Sequence, residues 1–138
     1  MATYLLDADH LAYLQKRHPR VIAHLGALHS GDRVLTSVVA VAELLRGVWL
    51  LPRSRRQREL LDLYGQVIAS MDEVLPLDRP VAEKFAQIDA ALRRKGRPIP
   101  INDIWVAAVS VVKGTVLVSA DAHYSFVDHL RLENWAGS

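Results

Sequence analysis

The chain has 138 residues, of which 51% are hydrophobic, and its 17 Lys and Arg residues nearly balance its 15 Asp and Glu residues for a net charge of +2. A domain of this length buries roughly two-thirds of the surface of its unfolded chain, so it can hold a core without cross-links. The absence of cysteine excludes disulfides, thiolate zinc sites and a cysteine nucleophile.

No segment of the sequence is typical of export or of membrane insertion. The first seven residues contain no basic stretch and end on Asp7, so we expect no signal peptide. The longest nearly uncharged stretch, residues 104–112, is far shorter than the roughly 20 residues that span a bilayer. Because no linker or repeat divides the chain, we expect one cytoplasmic domain over residues 1–138 with no membrane contact.

Short apolar runs alternate with amphipathic segments along the chain. The apolar runs predict strands over residues 3–6, 33–36, 73–77 and 115–118, with an edge strand between residues 127 and 135. Helical periodicity predicts helices over residues 9–18, 19–30, 38–51, about 60–68, 80–95 and 102–113. Asp9 is expected to cap the first helix and Asn102 the last, while Pro76 places the third strand near a sheet edge. This alternation predicts an α/β sandwich of three layers, with a short, mainly parallel sheet of four to five strands covered on both faces.

Four carboxylates fall where such a sheet would gather them. Asp7 follows the first strand and Asp121 the fourth, Asp103 lies in the first turn of the last helix, and Glu43 is embedded in an apolar helical stretch. Open parallel sheets bind ligands at the carboxyl ends of their strands, so these positions can meet at one edge. Each of the three aspartates can also serve as a cap or as a favourable charge at a helix start. Glu43 can pair with Arg46, although its apolar neighbours make an unpaired carboxylate costly to bury.

A cluster of carboxylates has a definite chemical consequence. The charges repel one another and persist together only when cations neutralise them. Oxygen ligands suit Mg²⁺ or Mn²⁺, and such ions can activate water for phosphodiester hydrolysis. The pattern therefore favours a metal-dependent hydrolase.

Four segments in order, with a similar tail, resemble a known family. They are residues 4–7, 36–47, 96–108 and 116–126, followed by residues 130–135. With these gaps they resemble the PIN-domain ribonucleases over nearly the full chain, and most of all the VapC toxins of prokaryotic toxin–antitoxin pairs. The resemblance implies a PIN-like fold and a metal-dependent endoribonuclease that cleaves RNA.

The resemblance also implies roles for individual residues. Asp7, Glu43, Asp103 and Asp121 match the acidic quartet that binds Mg²⁺ or Mn²⁺ in the family. Asp7 and Asp103 would be the central metal ligands, and Asp121 would assist directly or through water. Glu43 would hold a second metal or orient the attacking water.

Two neighbouring residues are assigned supporting roles. Ser119 matches the small hydroxyl residue that precedes the fourth acid, where it would support the site by hydrogen bonding. Asp9 stands where the family more often has Ser, Thr or Asn, so it is either an outer ligand or a helix cap, and we favour the cap.

The resemblance implies partners as well. An antitoxin, VapB-like, would wrap the chain and block the acidic site, and homodimers are common in the family. The apolar residues Trp49, Leu50 and Leu51 can serve such contacts, although a core role is expected for most apolar residues of these helices.

Basic residues offer a surface for RNA. Without Asp7, Asp9, Glu43, Asp103 and Asp121, the chain has 17 basic against 10 acidic residues, which is the charge distribution of a protein that attracts a polyanion around an acidic pocket. Two clusters of arginine residues can bind RNA phosphates or can simply be solvated side chains at helix ends. The candidate contacts are Arg53, Arg55, Arg56, Arg93 and Arg94. His123 is expected to have a turn role close to Asp121.

Two rival functions remain at this point. Asp7 and Asp9 after a first strand resemble the nucleophile pair of haloacid-dehalogenase-like phosphatases, in which the second Asp acts as acid and base. No Gly-Thr pair follows, and Glu43 would have no role in that reaction. The second rival is a non-catalytic protein-binding module of the same fold, against which the retention of four mutually repelling acids argues.

Overall fold

The computed structural model describes residues 1–137 and contains five β-strands, six α-helices and one short 3-10 helix within that range. In chain order the elements are β1 (Thr3–Leu6), α1 (Ala8–Gln15), α2 (Pro19–Gly26), β2 (Arg33–Ser37), α3 (Val38–Trp49), α4 (Arg55–Ala69), β3 (Glu73–Leu75), α5 (Arg79–Arg94), α6 (Ile101–Lys113), β4 (Val116–Val118), the 3-10 helix (Ala122–Phe126) and β5 (Leu132–Glu133). Ser138, the last residue of the predicted single domain, lies outside the described residues. Within residues 1–137, no helix has the length and apolarity needed to cross a membrane.

The five strands form one parallel sheet in the order β3-β2-β1-β4-β5. Leu5 of β1 pairs with Leu35 of β2 on one side and with Leu117 of β4 on the other, so these three side chains share one face. They pack in a core cluster with buried residues of α5 and α6. The neighbouring positions, such as Leu6, belong to a second cluster formed with α1 to α4. Helices thus cover both faces, which confirms the predicted three-layer α/β sandwich.

The position of β1 decides where ligands can bind. From β1 the chain builds the sheet outward on one side, through β2 and β3, and later returns to the other side of β1 through β4 and β5. In open parallel sheets, the crevice at such a reversal of strand order, outside the carboxyl ends of the strands, is the usual ligand site. The residues that follow β1 and β4 border this crevice. β3 lies at the sheet edge, as Pro76 predicts.

Two predicted helix caps are wrong. The cap of α1 is Asp7, which has an extended backbone and whose carboxylate accepts from the Ala8 N–H, while Asp9 lies inside the first turn. Both acids fit the cap pattern, but the end of β1 places the extended residue at Asp7. Similarly, α6 begins one residue before Asn102, and its N-cap Pro100 makes no side-chain cap bond.

Candidate active site

The carboxyl edge of the sheet gathers the four predicted acids from four separate places in the chain. Asp7 caps α1 directly after β1, and Asp121 caps the 3-10 helix after β4. Asp103 lies in the first turn of α6, and Glu43 projects from the middle of α3. The fold therefore produces the cluster, since no two of these residues are close in sequence.

Asp7 is held by three donors. Its Oδ1 accepts from the Ala8 N–H at 2.9 Å, and its Oδ2 accepts from Ser119 Oγ and from the Tyr124 hydroxyl, each at 3.0 Å. Burial raises the pKa of Asp7, although these donors act in the opposite direction. Only 7% of the residue is exposed, so the carboxylate has a fixed orientation with little access to bulk water.

Tyr124 connects two of the acids. Its hydroxyl oxygen lies 3.0 Å from Oδ2 of Asp7 and 3.4 Å from Oδ1 of Asp103. Burial, and then the charges of Asp7 and Asp103, raise the pKa of Tyr124, so the hydroxyl stays protonated and acts as a donor. Tyr124 was not among the residues predicted for the site. The spacing Asp121-Ala-His-Tyr124 could have indicated it, because positions three apart eclipse one another in a 3-10 helix.

Asp103, Asp121 and His123 form a second group at the same edge. One ligand atom from each of the three lies within 4.8 Å of the others, a spacing suited to a metal ion. His123 Nδ1 lies 3.3 Å from Oδ2 of Asp103 and 3.0 Å from Oδ1 of Asp121. Burial, followed by the charges of Asp121 and Asp7, raises the pKa of Asp103 to about 6.

The turn role expected of His123 is present, because its backbone N–H donates to Asp121 Oδ1 at 2.9 Å. Its imidazole also points into the acidic group, which was not expected. Half of the His123 side chain remains exposed.

Among the four acids, Glu43 is the one whose charge is least compensated by hydrogen bonds or ion pairs. Its Oε1 is buried and accepts no hydrogen bond from any described residue. Burial, and then the charges of Asp7, Asp103 and Asp121, raise its pKa to about 7. Glu43 and Arg46 do not occur together among the ion pairs of residues 1–137, so the surface-pair interpretation of Glu43 is wrong.

No Lys or Arg within residues 1–137 forms an ion pair with the acids of this edge. Among the described residues, the acids pair only with histidines: Asp9 with His10, and Asp103 and Asp121 with His123. The basic clusters lie elsewhere and are exposed. Arg55 pairs with Glu59 and Arg93 pairs with Asp89, each on its own helix surface, where such pairs contribute little to stability. The negative charge of the edge thus lacks protein cations.

These features fit a divalent metal ion. The donors are carboxylate oxygens and one imidazole nitrogen, the buried Oε1 of Glu43 accepts no hydrogen bond from any described residue, and Ser119 and Tyr124 donate to Asp7. Asp7, Asp103 and Asp121 would hold the ion, with His123 as a further donor. Such second-layer hydrogen bonds are what metal ligands usually require.

Three other aromatic residues lie in or against the hydrophobic core. Tyr64 and Trp135 are buried, and Trp105 stacks on Phe85 at 4.0 Å between ring centroids. Trp49, Leu50 and Leu51 differ from this pattern because all three are exposed, so a core role for them is wrong.

Comparison with known proteins identifies the family. The PIN domain family matches residues 4–130. Ribonuclease VapC2 of Haemophilus influenzae is 30% identical over 136 residues, covering 98% of this chain and 99% of the relative. The crystal structure of VapBC-5 from Mycobacterium tuberculosis, a member of the VapBC family of toxin–antitoxin systems, has a TM-score of 0.73 and 27% identity, covering 97% of this chain and 98% of that one.

The fold is also that of VapBC from Salmonella typhimurium, solved bound to DNA. That chain has a TM-score of 0.85 and 24% identity, with 98% of this chain and 99% of that chain covered. These matches support the nuclease interpretation over the phosphatase interpretation of Asp7 and Asp9. The chain therefore belongs to the PIN-domain family, among the VapC ribonucleases.

Proposed function

We propose that this chain is the ribonuclease toxin of a toxin–antitoxin module and that it cleaves RNA phosphodiester bonds at the carboxyl edge of its sheet. The family supports the reaction class, since its relatives are named ribonucleases. The observation that carries the proposal is the group of four convergent carboxylates for which residues 1–137 supply no Lys or Arg partner. Bound cations stabilise such a group because they neutralise its mutually repelling charges.

Asp7 and Asp103 act as the central metal ligands, and Asp121 completes the set directly or through water. When bound, a divalent cation lowers the pKa of a coordinated water and neutralises charge on the cleaved phosphate. The Tyr124 hydroxyl and Ser119 Oγ hold the Asp7 carboxylate in a single orientation. Mg²⁺ and Mn²⁺ both suit these oxygen ligands, and the His123 nitrogen favours Mn²⁺, because Mg²⁺ selects oxygen donors more strictly.

Glu43 orients the attacking water and accepts its proton. The buried Oε1 accepts no hydrogen bond from any described residue, so it is available to accept one from a water molecule. A role for Glu43 in holding a second ion is the alternative given by the same geometry.

Exposed arginines attract the RNA phosphates. The five candidate arginines, Arg53, Arg55, Arg56, Arg93 and Arg94, are all exposed. Arg53, Arg56 and Arg94 have no ion-pair partner among residues 1–137, which leaves them available to phosphates.

An antitoxin is the protein partner in this proposal. The solved structures that this chain resembles are described as VapBC assemblies of toxin–antitoxin systems, some bound to DNA. A homodimer is the second proposed assembly. Trp49 and Leu50, which are 64% and 69% exposed, offer an apolar surface for one of these contacts.

The test is a cleavage assay with purified protein and an end-labelled RNA. Wild type should cleave in Mn²⁺ or Mg²⁺ and stop on addition of EDTA, and Asp7→Asn should be inactive. Asp62→Asn, which alters an exposed acid of α4, is the matched control and should retain activity. Cleavage that survives EDTA would contradict the metal role. Equal growth inhibition by expressed wild type and Asp7→Ala would contradict a catalytic toxin and support the binding module.

A further inference from the structure

His10 is a buried polar residue outside the acidic quartet. It lies in the first turn of α1 and none of its surface is exposed. Its Nδ1 lies 2.8 Å from Oδ1 of Asp9, and its Nε2 lies 3.2 Å from the backbone nitrogen of Trp135. A backbone N–H can only donate, so Nε2 must be the unprotonated acceptor. Nδ1 therefore carries the hydrogen of a neutral ring and donates it to Asp9.

The other oxygen of Asp9 reaches the loop after β4. Asp9 Oδ2 accepts from the Ala120 N–H at 2.8 Å and lies 3.4 Å from Ser119 Oγ. The two N–H groups on either side of Ala120 are also bonded. Ser119 donates to the Glu133 carbonyl at 2.9 Å, and Asp121 donates to Ser119 Oγ at 3.1 Å. Each N–H of residues 119–121 thus has a fixed acceptor, and Asp9 supplies the central one.

We propose that Asp9 and His10, here called the Asp9–His10 pair, are positioning residues that fix the loop of residues 119–121 against the C-terminal segment at Trp135. Through this loop the pair sets Ser119, which orients Asp7, and Asp121. Asp9 acts here as a positioning residue, because its Oδ1 faces His10 and its Oδ2 accepts from the Ala120 N–H, and the cap of α1 is Asp7. The inference rests on the proposed function only in taking Asp7 and Asp121 as metal ligands.

The geometry of the pair requires a side chain with two hydrogen-bond acceptor atoms at position 9. Position 9 must accept a hydrogen bond from His10 with one atom and from Ala120 with another. Asparagine has one acceptor and one donor group, so in either orientation its NH₂ faces a second donor, at His10 or at Ala120. The other neutral tautomer of His10 would relieve the first clash but would then turn Nε2–H toward the Trp135 N–H.

Two substitutions of His10 separate the two halves of the pair. The amide nitrogen of Asn can stand where Nδ1 stands, so His10→Asn retains a donor to Asp9 and loses the acceptor for Trp135. The amide of Gln reaches the position of Nε2, so His10→Gln retains the acceptor for Trp135 and loses the donor to Asp9. Val81→Ala, in the buried part of α5 on the opposite face of the sheet, controls for destabilisation alone.

The first readout requires neither metal nor RNA. ¹⁵N NMR of the metal-free wild type should show that Nδ1 of His10 is protonated and that Nε2 is unprotonated. Amide exchange of Ala120 should accelerate at least about 10-fold in Asp9→Asn and His10→Gln relative to His10→Asn and Val81→Ala, after correction for global stability. An Nε2–H or charged ring, or equal exchange in the two His10 variants, would overturn the proposal.

The second readout is Mn²⁺ affinity measured by calorimetry below the unfolding range of each variant. Asp9→Asn and His10→Gln should bind Mn²⁺ about 10- to 100-fold more weakly, as substitutions behind metal ligands usually do. His10→Asn and Val81→Ala should stay near wild type. Unchanged affinity in Asp9→Asn and His10→Gln would overturn the positioning role. A wild type that binds no Mn²⁺ would contradict the proposed function instead, and the Ala120 exchange would still decide whether the pair holds the loop.

Discussion

Replacing Glu43 by glutamine should stabilise the metal-free protein while abolishing RNA cleavage. The folded protein raises the pKa of this carboxyl from 4.5 to about 7, chiefly by burial and then by the charges of Asp7 and Asp103. At pH 8 the group is therefore ionised in an environment that disfavours its charge. The full shift would correspond to about 3 kcal/mol, and because part of the side chain reaches solvent we expect a gain of about 1–2 kcal/mol.

The sign of this effect depends on pH in a defined way. Between pH 4.5 and about 7, the unfolded chain releases the proton of Glu43 before the folded protein does, so folding loses stability as pH rises. Glutamine carries no charge at any pH, and its advantage should shrink as pH is lowered from 8 to 5. The loss of activity follows from the loss of the proton acceptor at Oε1.

Thermal unfolding in EDTA at pH 8 and pH 5 measures the effect. Glu43→Gln should raise the melting temperature at pH 8 by roughly 3–8 °C. Glu59→Gln, at an exposed site on α4 where Glu59 pairs with Arg55, is the matched control and should change stability by less than about 0.5 kcal/mol. An unchanged or lower melting temperature for Glu43→Gln at pH 8 would refute the idea that Glu43 is an uncompensated charge.

Three further predictions concern the same edge of the sheet. Tyr124→Phe removes the hydroxyl between Asp7 and Asp103 and should weaken Mn²⁺ binding about 10-fold in calorimetry; unchanged affinity would show that the hydroxyl does not hold these carboxylates. His123→Ala removes an imidazole donor, so Mn²⁺ affinity should fall more than Mg²⁺ affinity in parallel titrations, and equal losses would exclude the ring as a ligand. In EDTA, wild-type stability measured by urea unfolding should fall between pH 4.5 and about 7, because the raised pKa values of Glu43 and Asp103 mean that the unfolded chain loses its protons first; stability that rises over this range would count against the raised values.

The sequence predicted the architecture and the positions of the acids for one physical reason. Apolar runs separated by helices of regular period imply a parallel sheet, and the carboxyl ends of parallel strands meet at one edge. Asp7 and Asp121 could be assigned to that edge from their positions after β1 and β4 alone. Glu43 required a second argument, the cost of an unpaired carboxylate in an apolar stretch, and the structure shows that unpaired atom.

The contacts behind the acids could not be predicted in the same way. Trp135 and His10 meet across 125 residues of chain, and no local pattern encodes that contact. Asp7 and Asp9 both satisfy the cap pattern of α1, and only the place where β1 ends decides between them. Tyr124 lies three residues after Asp121 in a short 3-10 helix, and this spacing was the one local signal for it, whereas its contacts with Asp7 and Asp103 depend on the fold.

Mn²⁺-soaked crystals examined by anomalous diffraction test the central claim most directly. We expect an anomalous peak at the carboxyl edge of the sheet, within coordination distance of Asp7 and Asp103 and next to Asp121, and no such peak in crystals of Asp7→Asn. A wild-type crystal without a peak there, or with Mn²⁺ bound only elsewhere, would contradict the assignment of this edge as the metal-dependent centre.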